Sequence, residues 1–153
     1  MAEPLEYRLL PHRPPFLFLD RAGRIVRGEG GRGWRLITSA EEWGRAGAGG
    51  TFPAILLIES LAQLAAAGNA TAAENHGDAG ADIRPPLGYL AAIDSFEWLS
   101  QVEPGDRVEL EVRIERRFGA ATRCFAEARV GQRAVAHGVL TFIVDTGAAA
   151  PRR

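Results

Sequence analysis

Glu59 is the residue of this chain best suited to proton-transfer chemistry. It lies inside Thr51 to His76, the longest apolar segment of the sequence, where we expect poor solvation. A carboxylate in such surroundings must be hydrogen-bonded, paired or protonated, because burying an isolated charge is costly. We therefore rank Glu59 first as a catalytic acid or base. A structural carboxylate, satisfied by a backbone N–H or by Gln63 one turn later, explains the same pattern equally well.

The other chemically reactive side chains are weaker candidates. His76 would lie about 26 Å from Glu59 along a helix that rises roughly 1.5 Å per residue, which is too far for joint action. His137 stands in a strand pattern, where a half-buried histidine is more often a satisfied core residue than a base. Cys124 has no neighbouring feature that would form a thiolate, so we interpret it as a small apolar filler. No cluster of metal ligands is discernible.

A long helix over residues 53–75 must carry Glu59. Pro53 suits a first helical position, since its missing N–H would have no partner within the helix. The polar residues before Gly77 mark the end. The first half is apolar almost all round, which indicates a helix wrapped by other elements. We reject a membrane span, because Glu59, Gln63 and Asn69 interrupt the apolar run.

Six strand patterns flank this helix. The clearest covers residues 107–115, where apolar and charged side chains alternate as in a strand with one buried face. The others are 16–26, 34–38, 87–97, 124–130 and 134–144, with a glycine-rich turn over 28–33 between the first two. Two strands, a helix and four antiparallel strands predict an α+β fold, with a six-stranded antiparallel sheet curling round the long central helix.

Length and composition limit the functional classes. At 153 residues we expect one domain over 1–153, with a core from 5 to 145 and a disordered tail over 146–153. A net charge of −1 favours neither nucleic acid nor a membrane surface as partner. A single cysteine and an opening without a signal pattern predict a cytoplasmic protein. The two loops that flank the long helix, residues 44–50 and 77–86, do not match a phosphate-binding pattern, so no cofactor is expected.

Four short segments carry a family resemblance. They are LPHRPPFLFLDR at 10–21, FPAILLIESLAQ at 52–63, LAAID at 90–94 and VEPGD at 102–106. In this order they resemble the LPHRxPFLxxDR, MPGVLIxEAxAQ, LAGID and VxPGD motifs of the β-hydroxyacyl-acyl-carrier-protein dehydratases of fatty acid synthesis. The chain is thereby identified as a member of this family, which has the hotdog fold.

The resemblance implies acyl-thioester sites at the interface of a homodimer, or of a higher oligomer of dimers. The substrate would be a thioester of acyl carrier protein or coenzyme A. A histidine from one subunit and the helix carboxylate of the other, here Glu59, would dehydrate it, while the N–H of Ala54 polarises the carbonyl group. The residues expected to bind the substrate are Phe16, Phe18, Phe52, Ile55, Leu56, Gln63 and Tyr89.

The catalytic histidine of the family is missing from its expected place. The family has the motif GHFPGxPxMPG before the helix, whereas this chain has GRAGAGGTFPA over 44–54. An alignment without gaps places Arg45 at the position of the family's histidine. An arginine cannot act as a general base near neutral pH, because its pKa exceeds about 12. Ala54 stands where the family has glycine. His12 belongs to the family's own PHR motif, where we expect a structural role. The sequence therefore predicts impaired or altered catalysis.

Three functions stay open on these residues. The first is a dehydratase-like enzyme of fatty acid or polyketide-type synthesis, with Glu59 as its acid-base residue. The second is an acyl thioesterase that uses Glu59, the N–H of Ala54 and the hydroxyl of Thr51 or Ser60, since other hotdog enzymes resemble this one in using a helix carboxylate. The third is a non-catalytic acyl-binding subunit, either alone or as half of a heterodimer whose hotdog partner supplies the histidine.

Overall fold

The computed structural model describes residues 10–26, 28–39, 52–73 and 88–144. Its elements in chain order are β1 (Arg21–Val26), β2 (Gly30–Leu36), α1 (Ile55–Ala73), β3 (Gly88–Trp98), β4 (Arg107–Phe118), β5 (Ala121–Val130) and β6 (Arg133–Val144). The strands pair antiparallel in one sheet, in the order β1, β2, β4, β5, β6, β3. The predicted α+β arrangement is confirmed for these residues, although the sheet is not closed. The predicted tail over 146–153 lies outside the described residues.

Helix α1 packs across β1, β2, β4 and β5. A turn precedes it, in which the N–H groups of Leu56 and Leu57 donate to the carbonyls of Pro53 and Ala54 at 3.0 Å each. The core between helix and sheet includes Leu57, Leu61 and Leu64, all fully buried. The apolar sequence predicted a helix enclosed on every side. The structure differs, because Ile55 is exposed. None of the described helical residues forms a segment long and apolar enough to cross a membrane.

Strand β2 contains glycines that the sequence analysis assigned to a turn. Only Gly28 and Glu29 form that turn, and Gly30, Gly31 and Gly33 lie in the strand. A Cβ atom on Gly68 of α1 would lie 3.6 Å from the Gly30 backbone, so helix and strand approach closely. Such an approach is a usual reason for glycine inside a strand. The predicted strand start at residue 34 was therefore wrong.

Residues 16–19, before β1, do not join the sheet. A strand was predicted from Phe16, but β1 begins at Arg21. The Nε2 group of Gln63 donates to the Phe16 carbonyl, and the N–H of Phe18 donates to Gln63 Oε1, each at 2.8 Å. A side chain of α1 therefore supplies hydrogen bonds that a neighbouring strand would otherwise make. The prediction of a strand over 16–20 was wrong for this reason.

The last three strands follow the predicted pattern with longer limits. Gly119 and Gly131 adopt positive φ values of 58° and 56° in the hairpin turns between them. Cys124 of β5 is fully buried, and burial raises the pKa of its thiol to about 11. A thiol with so high a pKa is not a nucleophile near neutral pH, which agrees with the interpretation of Cys124 as a small apolar filler.

Strand β3 forms one edge of the sheet and pairs with β6 alone. Every residue of β3 except Phe96 is exposed. The exposed side chains include Tyr89, Leu90, Ile93 and Trp98, which are large and apolar or aromatic. Because the described contacts of α1 with the sheet lie mainly on other strands, the described residues leave most of this edge strand uncovered, and only Phe96 of β3 packs against the core.

Candidate active site

A groove of about 590 Å³ opens beside the first two turns of α1. The N-terminal segment, the helix and β3 each contribute part of its wall. The lining residues are His12, Phe16, Phe18, Ile55, Leu56, Ile58, Glu59, Leu90 and Ile93. All are apolar except one histidine and one carboxylate. An apolar groove with a few polar groups is typical of a site for a largely apolar ligand.

Glu59 lies at the open side of this groove. Its side chain is 40% exposed, so the expectation of poor solvation was wrong for the single chain. The cause is its direction, since Glu59 points away from the sheet while the neighbouring Ile58 and Ser60 are buried. Gln63 Nε2 donates a hydrogen bond of 2.9 Å to Glu59 Oε1. The carboxyl group is thus oriented by the next turn of the helix and remains accessible to a ligand.

Gln63, buried behind the groove, holds Glu59 and the N-terminal segment in place. Gln63 is only 1% exposed. Its side-chain amide donates hydrogen bonds to Glu59 and to the Phe16 carbonyl, and accepts one from the Phe18 N–H. This residue was predicted to bind substrate, but it does not line the groove. One buried amide instead holds the Glu59 carboxylate and the N-terminal segment in fixed relation. Gln63 therefore acts in this structure as a positioning residue.

His12 faces Glu59 across the groove. Its Nε2 atom lies 3.7 Å from Glu59 Oε1, and its side chain is 36% exposed. Its Nδ1 atom is buried and has no hydrogen-bond partner among the described residues. Arg13 Nη1 donates to the carbonyls of His12 and Leu10 at 2.8 Å each, which secures the backbone that carries the imidazole. Sequence reasoning missed this contact and expected His12 to be structural.

Four of the predicted substrate-binding residues meet in the groove. They are Phe16, Phe18, Ile55 and Leu56. Phe52 lies outside it, buried beneath the guanidinium group of Arg35 at 5.6 Å. Tyr89 is exposed on β3 and is also absent from the wall, where Leu90 and Ile93 represent that strand.

The start of α1 presents a backbone donor at Ala54, which directly precedes Ile55 of the groove but lines a separate cavity. The N–H of Phe52 donates to the Val102 carbonyl at 2.9 Å, so the VEPGD turn anchors the chain entering the helix. Ala54 follows in an exposed position. The first N–H groups of a helix have no carbonyl partner within it, which leaves them able to bind a ligand oxygen. Arg45 and Thr51 lie outside the described residues.

Comparison with known proteins identifies the family. The chain is 34% identical over 136 residues to the 3-hydroxyacyl-[acyl-carrier-protein] dehydratase FabZ of Bacillus velezensis, spanning 88% of this chain and 91% of that protein. It is 35% identical over 131 residues to the FabZ of Anaeromyxobacter sp., spanning 84% and 80%. The chain belongs to the FabZ family. No family model matches it.

Solved structures give the fold of this FabZ-family chain independently. The dehydratase heterocomplex ApeI:P from Xenorhabdus doucetiae matches with a TM-score of 0.74 at 15% identity, covering 95% of this chain and 93% of that one. A hypothetical thioesterase with coenzyme A from Streptococcus pneumoniae matches with a TM-score of 0.61 at 10% identity, covering 82% and 84%. At such low identity these likenesses establish the fold alone, and they confirm the predicted hotdog arrangement.

The other reactive side chains that the structure describes in this FabZ-family chain lie away from the groove. His137 alternates with buried Ala136 and Gly138 on β6, so it points to the outer face of the sheet, where Glu97 lies 3.8 Å away. Ser60 is fully buried, and its hydroxyl donates to the Leu56 carbonyl at 2.9 Å. His76 lies outside the described residues. Within those residues, no three His, Cys, Asp or Glu side chains group as metal ligands.

Proposed function

We propose that this FabZ-family protein binds 3-hydroxyacyl thioesters of acyl carrier protein or coenzyme A and dehydrates them slowly to 2-enoyl thioesters, in fatty acid or polyketide-type synthesis. The observation that carries this proposal is the accessible carboxyl group of Glu59 at the edge of an apolar groove. The FabZ relatives, named for this reaction, support it. A thioesterase is less well supported, because the Ser60 hydroxyl is buried and already bonded to a backbone carbonyl.

The proposed reaction needs only proton transfer. A base removes a proton from C2, the electrons of the C–H bond form the C2=C3 double bond, and the hydroxyl group leaves C3. Glu59 gives its proton to that hydroxyl, which departs as water. The N–H of Ala54 stabilises the negative charge that grows on the thioester oxygen. No electron acceptor or cofactor is consumed.

The apolar wall accommodates the acyl chain. Phe16 and Ile55 are exposed in the single chain, so a bound acyl group would remove their surfaces from water. Such burial contributes roughly 25 cal/mol per Å² before the costs of association are subtracted. Since β3 supplies Leu90 and Ile93 to the same wall, the groove lies beside the uncovered edge of the sheet.

We propose a homodimer in which the β3 edges of two chains meet. An edge strand with unpaired backbone groups and exposed apolar side chains is a site for association, and a twofold contact pairs such an edge with itself. Sedimentation at micromolar concentration is expected to give twice the chain mass of 16.5 kDa, or a multiple of that dimer. A monomer alone would contradict this proposal. A monomer that associates only with a second, histidine-bearing hotdog chain would support a heterodimer.

Glu59→Gln is expected to lower kcat for dehydration by at least about 10²-fold, because the glutamine amide cannot donate the proton that the leaving hydroxyl requires. Enoyl thioester formation, followed by mass spectrometry, measures this rate. Acyl thioesters should still raise the Tm of the variant more than free coenzyme does, since the apolar wall is unchanged. Glu97→Gln provides a matched control, because Glu97 also lies beside a histidine but on the outer face.

The other candidate functions give different results in the same assay. Release of free acid from the thioester, lost in Glu59→Gln, would identify a thioesterase and contradict the proposed dehydration. Binding of acyl thioesters without any turnover would identify a non-catalytic acyl-binding subunit. Equal Tm shifts with acyl thioester and free coenzyme would argue against the groove as an acyl site.

A further inference from the structure

We infer that His12 is the base that removes the C2 proton, and that it acts together with Glu59 of the same chain. This inference rests on the proposed function and adds the residue that the reaction still lacks. Its basis is the distance of 3.7 Å between His12 Nε2 and Glu59 Oε1 inside the groove. Among the described lining residues, these two are the only titratable ones.

The spacing of the two groups suits elimination between adjacent carbons. C2 and C3 are directly bonded, so the base that takes the C2 proton and the acid that protonates the C3 oxygen must lie a few ångströms apart. His12 and Glu59 meet this requirement at one position of the groove wall. His137 fails it, because it lies on the outer face of the sheet beside Glu97.

Only one nitrogen of His12 can exchange protons with a ligand. Nδ1 is buried and has no hydrogen-bond partner among the described residues, whereas Nε2 points toward the carboxyl group of Glu59. A proton taken from a bound thioester must therefore pass through Nε2. The side chain is 36% exposed, so the imidazole remains accessible from the groove.

The two groups are held in fixed relation by Gln63. Its buried side-chain amide forms a hydrogen bond with Glu59. The same amide forms hydrogen bonds with the backbone of Phe16 and Phe18, four and six residues beyond His12. Arg13 adds a hydrogen bond to the His12 carbonyl. A catalytic pair needs such support, because a displacement of about 1 Å can reduce the rate by about 10²-fold.

The proton balance of the cycle closes without another reactant. Unprotonated His12 Nε2 takes the C2 proton, the electron pair forms the C2=C3 double bond, and the C3–O bond breaks. Protonated Glu59 gives its proton to the leaving oxygen, which departs as water. After product release, the proton on His12 passes to Glu59, directly or through one water molecule, and both groups regain their starting states.

His12→Gln tests the inference, with His137→Gln as the matched control. Both histidines are 36% exposed and lie beside a glutamate, at 3.7 Å for His12 and 3.8 Å for His137. His12→Gln is expected to lower kcat for dehydration by about 10²-fold with little change in KM, because general base catalysis is lost. His137→Gln should retain the rate of the unmodified protein. His12→Asn serves the same test if the glutamine variant does not fold.

Exchange of the C2 proton separates a base from a structural residue. A saturated acyl thioester, which lacks the C3 hydroxyl, cannot be dehydrated but can exchange its C2 hydrogens with D₂O. Mass spectrometry should show exchange with the unmodified protein and with Glu59→Gln, and none with His12→Gln. Exchange that persists in His12→Gln would overturn the inference.

Mixing two inactive variants tests whether the pair lies in one chain. In a mixed dimer of His12→Gln and Glu59→Gln, a pair within each chain always lacks one group, so no activity should return. A pair formed across the interface would give one intact site, and recovered activity would overturn the same-chain assignment.

Failure of the inference is distinct from failure of the proposed function. If Glu59→Gln loses turnover while His12→Gln keeps both turnover and exchange, another base acts and the dehydratase function stands. If the unmodified protein neither dehydrates 3-hydroxyacyl thioesters nor exchanges C2 hydrogens, both are overturned.

Discussion

Gly30→Ala is expected to destabilise the fold by more than about 3 kcal/mol, since it combines backbone strain with overpacking. Gly30 has a φ of 131°, a conformation that side-chain-bearing residues rarely adopt. A Cβ atom at this position would lie 1.9 Å from the Val112 carbonyl oxygen of β4, far inside contact distance. Backbone atoms on both sides would have to move apart, and Gly68 of α1 packs on the same residue. The midpoint of chemical denaturation measures the loss.

Gly88→Ala is the matched control for this substitution. Gly88 also lies in a strand, but a Cβ atom there would meet only the Ile143 carbonyl oxygen at 3.9 Å, an ordinary contact. Its effect on the free energy of unfolding should stay within about 0.5 kcal/mol, as for most surface changes. Similar midpoints for the two variants would contradict the close approach of Gly30 to the Val112 carbonyl of β4.

The elements with strong periodicity could be predicted from the sequence. Strand β4 has a pattern set by burial against a single neighbouring layer, and such a pattern is visible locally. Helix α1 was predicted from the length of its apolar run and from Pro53 at its start. The start of β2 could not be predicted, because Gly30 lies in the strand where Gly68 of α1 packs closely against it, and Gly68 is distant in sequence. The position of Phe16 outside the sheet also depends on a contact between residues distant in sequence, since its carbonyl accepts a hydrogen bond from Gln63, 47 residues away.

The candidate site was predictable in part. Glu59, Ile55 and Leu56 of the groove were predicted because an apolar helix with one carboxylate is an unusual pattern, and because the motifs resemble a known family, whereas Ile58 was not predicted. The contact of His12 with Glu59 was not predictable, since 46 intervening residues and the fold of the N-terminal segment onto Gln63 decide it. Ala54 was located by motif alignment, and the role of its N–H stays a prediction.

Arg45→His is expected to raise kcat for dehydration by about 10²-fold, because it adds an imidazole at the family's histidine position to a protein that dehydrates only slowly through His12. General acid-base help can reach about 10⁴-fold, but the loop before Phe52 lacks both prolines that the family has there, and a misplaced base loses about 10²-fold. Arg45→Gln is the control, since it removes the guanidinium group without adding a base and should give no gain. Enoyl thioester formation under saturating substrate measures all three proteins.

Two double variants decide whether the gain comes from general base catalysis. Glu59→Gln combined with Arg45→His should remove the gain, because the leaving hydroxyl still needs a proton. His12→Gln combined with Arg45→His should retain it, because the introduced imidazole replaces the base that His12 supplies. An equal gain in Arg45→Gln would show that arginine merely obstructs the groove. No gain in a folded, acyl-binding Arg45→His protein would show that its side chain does not reach C2, and the base of this chain would then have to be sought at His12 alone.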